Sequence, residues 1–370
     1  MKFGLLYEME TPRPWNDRSE YNIYWQALEQ IELADRLGFD YVWEVEHHFL
    51  EEYSHSSAPE VFFGAVSQRT KNIRIGHGVR LLPFHFNHPI KLAEEAAVLD
   101  IISNGRVEFG MGRSTTVQEL DGFNVDYERT REEVHEAAEI IVKAWTEEIL
   151  EFDGKLIKIP PRRVVPKPIQ KPHPPMWMAC VAPDSYVLAG DRGLGALSFS
   201  MNFELVQKVM QNYRKAGTTR SDQIPKFAND AFAALIVCHV AQNKEEEAIG
   251  IEGARWFMHH VGLLFTPLMA KNQLYSYEYT RAMFGTGVDP ADMSDAELKQ
   301  HPMVVVGNPD EVIRKLEELD SVGIDQAICF KQAGRIPHPN IMRSFELMGR
   351  HVLPHFKPHP ATAAASAPAR

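Results

Sequence analysis

Short apolar runs alternate with longer amphipathic stretches along almost the whole chain. Residues 2–8 read as a strand. Residues 20–37 then place Leu28, Ile31, Leu33, Ala34 and Leu37 close to helical spacing, with Gly38 as the stop. Residues 41–45 read as a second strand, 59–69 as a helix and 73–82 as a third strand. Asn87-His88-Pro89 opens the next helix, with Asn87 at the cap and a proline in the first turn. That helix runs to Ile102 and stops at Asn104-Gly105, and 106–111 is a fourth strand. In the second half, strands are expected at 175–180, 196–200, 231–240 and 326–330. Helices are expected there at 184–192, 203–215, 245–260, 309–322 and 339–353. Alternation at this spacing predicts a parallel sheet, and eight strands predict an α/β fold closed as a (β/α)8 TIM barrel. No G-x-G-x-x-G follows any strand, which weakens an open dinucleotide-binding sheet.

Three segments break the rhythm. Residues 150–174 are rich in proline and lysine and form an insertion after the fourth helix. Residues 261–303 form a second insertion, before the eighth strand, with Gly285, Gly287 and Pro290 among polar residues; an excursion of this length suits a lid or an interface. The expected domain is 1–356, and the Pro/Ala/Ser-rich tail 357–370 is expected to be disordered.

Composition narrows the class. At 370 residues, 44% hydrophobic and 24% charged, the chain has ample material for one barrel core. Its net charge of -11 and the lack of any basic run disfavour nucleic acid or an anionic membrane as partner. Cys180, Cys238 and Cys329 each sit in an apolar run and read as core thiols, with no metal-type or disulfide spacing. With no signal peptide ahead of the first strand and no membrane-length apolar stretch, a cytoplasmic protein is expected.

Barrel chemistry sits where strands end. After the second strand come Glu46-His47-His48-Phe49. Adjacent histidines on an extended segment point to opposite sides, so one can face the mouth while the other packs or caps. A histidine there suits acid–base work near neutral pH, although a satisfied structural histidine is the ordinary alternative. His85 and His88, after the third strand, raise a metal reading with His47 and His48. Packing and helix capping are their expected roles, and no metal is expected. Gly76-His77-Gly78 inside the third strand suggests close approach of a flat ring or another backbone. After the fourth strand, Gly112-Arg113-Ser114-Thr115-Thr116 suits a phosphate, by close backbone approach, guanidinium and hydroxyls. Val181-Ala182-Pro183-Asp184-Ser185 opens a helix and offers a second anion site. Tyr7, Trp43, Phe49, Phe84, Phe199, Met201 and Phe203 are candidates for an aromatic mouth; Tyr7, Phe49, Phe84 and Phe199 are the substrate-contact candidates.

As an ordered set, these segments resemble the bacterial luciferase-like flavin monooxygenase family. The resemblance is carried by Met1-Lys2-Phe3-Gly4, Gly38-Phe39-Asp40, Glu46-His47-His48-Phe49, Leu82-Pro83 with His88-Pro89, Ala93-Glu94-Glu95 and Leu99-Asp100. Ser103-Asn104-Gly105-Arg106, Gly110-Met111-Gly112-Arg113, Val306-Gly307-Asn308-Pro309-Asp310-Glu311 and Val352-Leu353-Pro354 extend it over roughly 1–356. It implies a barrel that binds reduced FMN, delivered by a separate flavin reductase. Such a barrel inserts one atom of dioxygen, through a peroxyflavin, into a small apolar or aromatic substrate. It implies that His47 manages protons while His48 is a structural neighbour. It also implies a non-proline cis peptide at Gly78–Val79 under the flavin ring. Phosphate contacts would fall on Arg113, Thr115, the backbone at Val181 and Ala182, and the Ser185 hydroxyl. A homodimer paired through helices of the N-terminal half is implied as well. Two departures stand out. Val181 and Ala182 occupy positions where relatives often carry serine, and Gly112 stands where the luciferase subunit has cysteine, so light emission is not implied. A deazaflavin-dependent dehydrogenase on the same barrel, a non-catalytic flavin-binding protein and a metal-dependent hydrolase remain as alternatives.

Overall fold

The computed structural model describes residues 1–199, 203–271 and 289–356, the side chains at 203–204 and 265–271 excepted. The chain opens with β1 (Lys2–Tyr7), α1 (Ser19–Leu37), β2 (Tyr41–Glu44), α2 (Pro59–Arg69), β3 (Arg74–His77) and β4 (Arg80–Leu81). After α3 (Pro89–Ile102) and β5 (Val107–Gly112) come α4 (Val117–Gly122) and α5 (Thr130–Thr146). A hairpin, β6 (Leu150–Asp153) with β7 (Lys158–Arg162), leads to β8 (Met176–Cys180). Next are α6 (Pro183–Asp191), β9 (Gly195–Ser198), α7 (Phe203–Ala216), β10 (Phe232–Val240) and α8 (Lys244–Lys271). The chain ends with α9 (Asp295–Gln300), β11 (Val304–Gly307), α10 (Pro309–Ser321), β12 (Gln326–Phe330), α11 (His338–Leu347) and α12 (Leu353–Phe356).

Parallel pairings run β1–β2–β3–β5–β8–β9–β10–β12 and return to β1, so the sheet closes into the expected (β/α)8 barrel. The register carries one consequence for function. Every strand enters the ring in the same direction, so Glu44, His77, Gly112 and Cys180 all approach one rim, where the following loops gather.

Four details depart from the sequence expectation. The third strand, expected to run unbroken over 73–82, is interrupted at Gly78–Val79, whose peptide bond is cis as the resemblance implied; pairing with β5 is made at Ile75 and Gly76 and resumes at Arg80 and Leu81. Residues 150–162, read as an irregular insertion, contain the β6–β7 hairpin. Val304–Gly307, unassigned from sequence, forms β11 along the C-terminal half of β10, outside the ring; an apolar run of that length carries little periodicity. The cap of α3 is His88, which accepts from Ile90 N–H, whereas Asn87 turns inward to Glu46 and Leu81 O. Much of the second insertion (272–288), Met201 and the tail 357–370 lie outside the described residues.

The barrel interior is filled by large rings set against glycines. A Cβ on Gly76 would stand 2.3 Å from Trp43 Cε3, and one on Gly195 would stand 2.4 Å from Trp177 Cε3. Trp43 and Trp177 are both buried and meet edge to face at 5.3 Å. The ring that Gly76 makes room for is therefore Trp43, a protein ring, and Trp43 belongs to the core below the mouth. Cys180, Cys238 and Cys329 are free and buried on β8, β10 and β12, as expected.

Packing at this density leaves no place for an added methyl. Gly76→Ala is expected to cost roughly 1–3 kcal/mol, seen as a lower Tm in thermal unfolding followed by circular dichroism. An unchanged Tm would show that Trp43 is free to move.

Candidate active site

A cavity of about 670 Å³ opens at the rim where the strands end. Its walls include His47, Gly78, Val79, Gly112, Arg113, Thr115, Val181, Ala182, Ser185 and Phe199, so ten of the residues proposed from sequence converge there. Three do not. Tyr7 is 2% exposed and faces the helix layer, its hydroxyl donating to Gln30 on α1. Alternation along β1 turns it away from the mouth and gives the rim to the next residue, Glu8. Phe49 is 60% exposed, with a left-handed φ of 62°, and packs on Phe123. Phe84 packs against the core, and its N–H donates to Glu133. The Phe203 side chain lies outside the described residues.

The four residues of the loop after β2 take separate roles. Glu46 is a buried tie-point: it ion-pairs with Arg80 at 2.9 Å and accepts Leu81 N–H at 3.0 Å and Asn87 Nδ2 at 2.8 Å. Burial opposes its charge, but His48, Arg80 and these donors hold its pKa down at about 2. His48 leans on Glu46 and packs edge to face on Phe123 at 4.9 Å. His47 alone of the pair lines the cavity. His85 bonds Phe123 O and His88 caps α3, so the four histidines are spread over different tasks.

His47 is held between two carboxylates. Its Nδ1 lies 2.9 Å from Glu119 Oε1, and its Nε2 lies 3.6 Å from Glu8 Oε2. Glu119 is fully buried and also accepts the His48 N–H, the Ser114 hydroxyl at 2.7 Å and the Thr116 hydroxyl at 2.6 Å. A left-handed φ of 66° at Ser114 accompanies the turn that brings its hydroxyl inward. Burial alone would raise the Glu119 pKa, yet His47 and the two hydroxyls keep it low. For His47, burial disfavours the cation, but Glu119 and then Glu8 prevail and raise its pKa to about 9. Burial raises Glu8 to about 7, against the pull of His47 and the Tyr53 hydroxyl.

The opposite end is rich in cations and hydroxyls. Arg113, Arg131, Lys155 and Arg192 line it, with Thr115 and Ser185. Ser185 sits in the first turn of α6, where its Oγ accepts Val181 N–H and donates to Ala182 O. Arg131 pairs with Asp184 at 2.6 Å, Lys155 with Glu132 at 2.7 Å and Arg192 with Asp222 at 2.9 Å. A guanidinium, hydroxyls and a helix N-terminus are the donor set that a phosphate monoester needs. The aliphatic stretch of Val79, Leu81 and Met111 between the two ends suits a flat ring. The residues present therefore fit FMN.

Sequence reading missed Glu8, Glu119, Arg131, Lys155 and Arg192. Glu8 was within reach, because it directly follows β1. Thr116-x-x-Glu119 also has capping-box spacing, and Thr116 does cap α4. The Glu119 carboxylate, however, accepts the Thr116 hydroxyl and holds His47, while the Thr116 N–H that a capping box would give it goes to the Ser114 hydroxyl.

The family model for luciferase-like monooxygenases matches residues 1–326. The chain belongs to the luciferase-like monooxygenase family. The expectation drawn from the loop motifs is met, and this family member is an oxidoreductase. It is 27% identical over 369 residues to the oxygenase component of the flavin-dependent trigonelline monooxygenase of Acinetobacter baylyi, covering 96% of each chain. Among solved structures it superposes on the monooxygenase RslO1 of Streptomyces bottropensis with a TM-score of 0.77 and 26% identity, over 96% of this chain and 100% of that one. It also shares its fold with the oxygenating constituent of 3,6-diketocamphane monooxygenase of Pseudomonas putida, solved in complex with FMN. That comparison gives a TM-score of 0.75 at 22% identity, over 96% of this chain and 98% of that one.

The ion-pair row sets a pH dependence. His47 is raised from 6.5 to about 9, so its stabilising contribution is complete below pH 6.5 and lost as pH rises through 9. The loss is on the order of 3 kcal/mol. Glu8, raised from 4.5 to about 7, adds a loss in the same direction between those values. Thermal melts from pH 6 to 9.5 should fall more steeply for the native chain than for His47→Asn. Equal slopes would remove the pairing from the account.

Proposed function

We propose that this luciferase-like enzyme is the oxygenase of a two-component FMN-dependent monooxygenase. A separate flavin reductase would supply reduced FMN, and one atom of dioxygen would enter a small aromatic substrate. The observation that carries this reading is a single cavity with a phosphate-type donor set at one end and a carboxylate-flanked His47 at the other.

The FMN phosphate would be held by Arg113, Thr115, the Ser185 hydroxyl and the backbone at Val181 and Ala182. Gly78, Val79 and Gly112 would meet the ring. When bound, reduced FMN supplies the two electrons and the position at which dioxygen is activated. The protein's own part is to place, to dry and to protonate. Glu119 fixes the His47 ring through Nδ1, which leaves Nε2 as the proton-bearing atom toward Glu8 and the cavity. Leu6, Val45 and Phe199 add apolar wall near His47, which keeps stray water from the reacting atoms. The proposal includes a homodimer paired through α2 and α3, supported by exposed Val61, Val98, Ile101 and Ile102. A cytoplasmic location is proposed too; among the described residues no helix is long and apolar enough to cross a membrane.

His47→Ala should keep FMN affinity within about twofold while product formation with reduced FMN and dioxygen falls by roughly 10²–10⁴. Undiminished turnover would remove His47 from the chemistry. In parallel, anaerobic titration with reduced FMN and with a reduced deazaflavin should show tighter binding of FMN. The reverse order would favour the dehydrogenase alternative.

A further inference from the structure

We infer that the inner end of the cavity is built for an aromatic cation, with its positive charge against Glu8 and its ring against Tyr53 and Phe199. This names a substrate class for the proposed oxygenase site and rests on that assignment.

Two carboxylates, Glu8 and Glu119, face one imidazolium, His47, so the row carries a net negative charge when Glu8 is ionised. Glu119 is saturated by His47, the His48 N–H, Ser114 and Thr116. Glu8 is not. Its Oε1 accepts the Tyr53 hydroxyl at 3.2 Å, whereas among the described residues Oε2 accepts no hydrogen bond and meets only the 3.6 Å ion-pair contact with His47. The residue is 3% exposed and lines the cavity. Glu10, a further acid near Glu8, supplies no cation either; burial pushes its pKa up, and it accepts the Gly334 N–H.

A buried carboxylate oxygen without a donor is costly, and the cost grows when a neutral ligand displaces water from it. A cation or an acidic N–H removes that cost. The cations at the far end have carboxylates or a hydroxyl of their own, so they do not neutralise Glu8 directly. The neighbouring walls are Tyr53, Phe199 and Leu264, and ring faces favour a positive partner over a neutral one of equal shape. The His47 proton stays in place across the neutral range, so Glu8 is the group that switches the local charge.

The probes are N-methylpyridinium and toluene, which share shape and differ in charge. Each is titrated calorimetrically into the FMN-saturated protein and into its Glu8→Gln variant, at pH 6 and pH 8. Flavin loading is read separately by fluorescence quenching, so failure to bind FMN and failure to prefer the cation are different results. The expected outcome at pH 8 is binding of N-methylpyridinium at least about tenfold tighter than toluene. That preference should fall by about tenfold, near 1.4 kcal/mol, in Glu8→Gln, and should shrink in the native protein at pH 6 as Glu8 takes a proton. If Glu8→Gln does not fold, the pH dependence of the native protein decides. Equal affinity for the two probes at pH 8, or a preference indifferent both to pH and to Glu8→Gln, overturns the inference.

Discussion

The buried Glu119 carboxylate is the interaction on which the rest of the site depends. It collects donors from two separate loops: His47 and the His48 N–H after β2, and Ser114 and Thr116 after β5. An anion with four donors in a low-dielectric setting is worth keeping intact, because removing it would strand every donor. Its presence fixes the His47 ring and keeps the imidazole charged. A charged His47 in turn keeps the Glu8 pKa from rising further. Orientation, charge and proton location at the inner end thus follow from one carboxylate on a short helix.

That arrangement needs a rigid floor. Trp43 and Trp177 fill the barrel below the mouth, with Gly76 and Gly195 giving them room. Glu46 holds the rim from the other side through Arg80, which also pairs with Glu60 and Glu95 on α2 and α3. The cavity between floor and rim is lined both by Arg113, Thr115 and Ser185 and by the carboxylate-flanked His47.

Much of this could be read from the chain. Strand and helix periodicity showed the barrel, since a parallel βα unit needs an apolar strand and a helix with one apolar face. The loops after β2, β5 and β8 were found because chemistry in a barrel is confined to strand ends. Errors came where a single residue decides which side a group faces. Tyr7 and Glu8 are neighbours, and strand alternation places one under a helix and the other in the cavity. Asn87 leaves the expected cap to His88 because Glu46, distant in sequence, offers Asn87 a better partner.

The sequence by itself determined the alternation of ring strands and helices, the parallel closure, the glycines of the third strand and the loops that form the site. These depend on local patterning and on backbone sterics, which each segment carries with it. Only the tertiary structure decided which members of Glu46-His47-His48-Phe49 work together, and that His47 stands between Glu8 and Glu119. Those contacts join residues far apart in the chain, so they exist only once barrel closure brings the strand ends together.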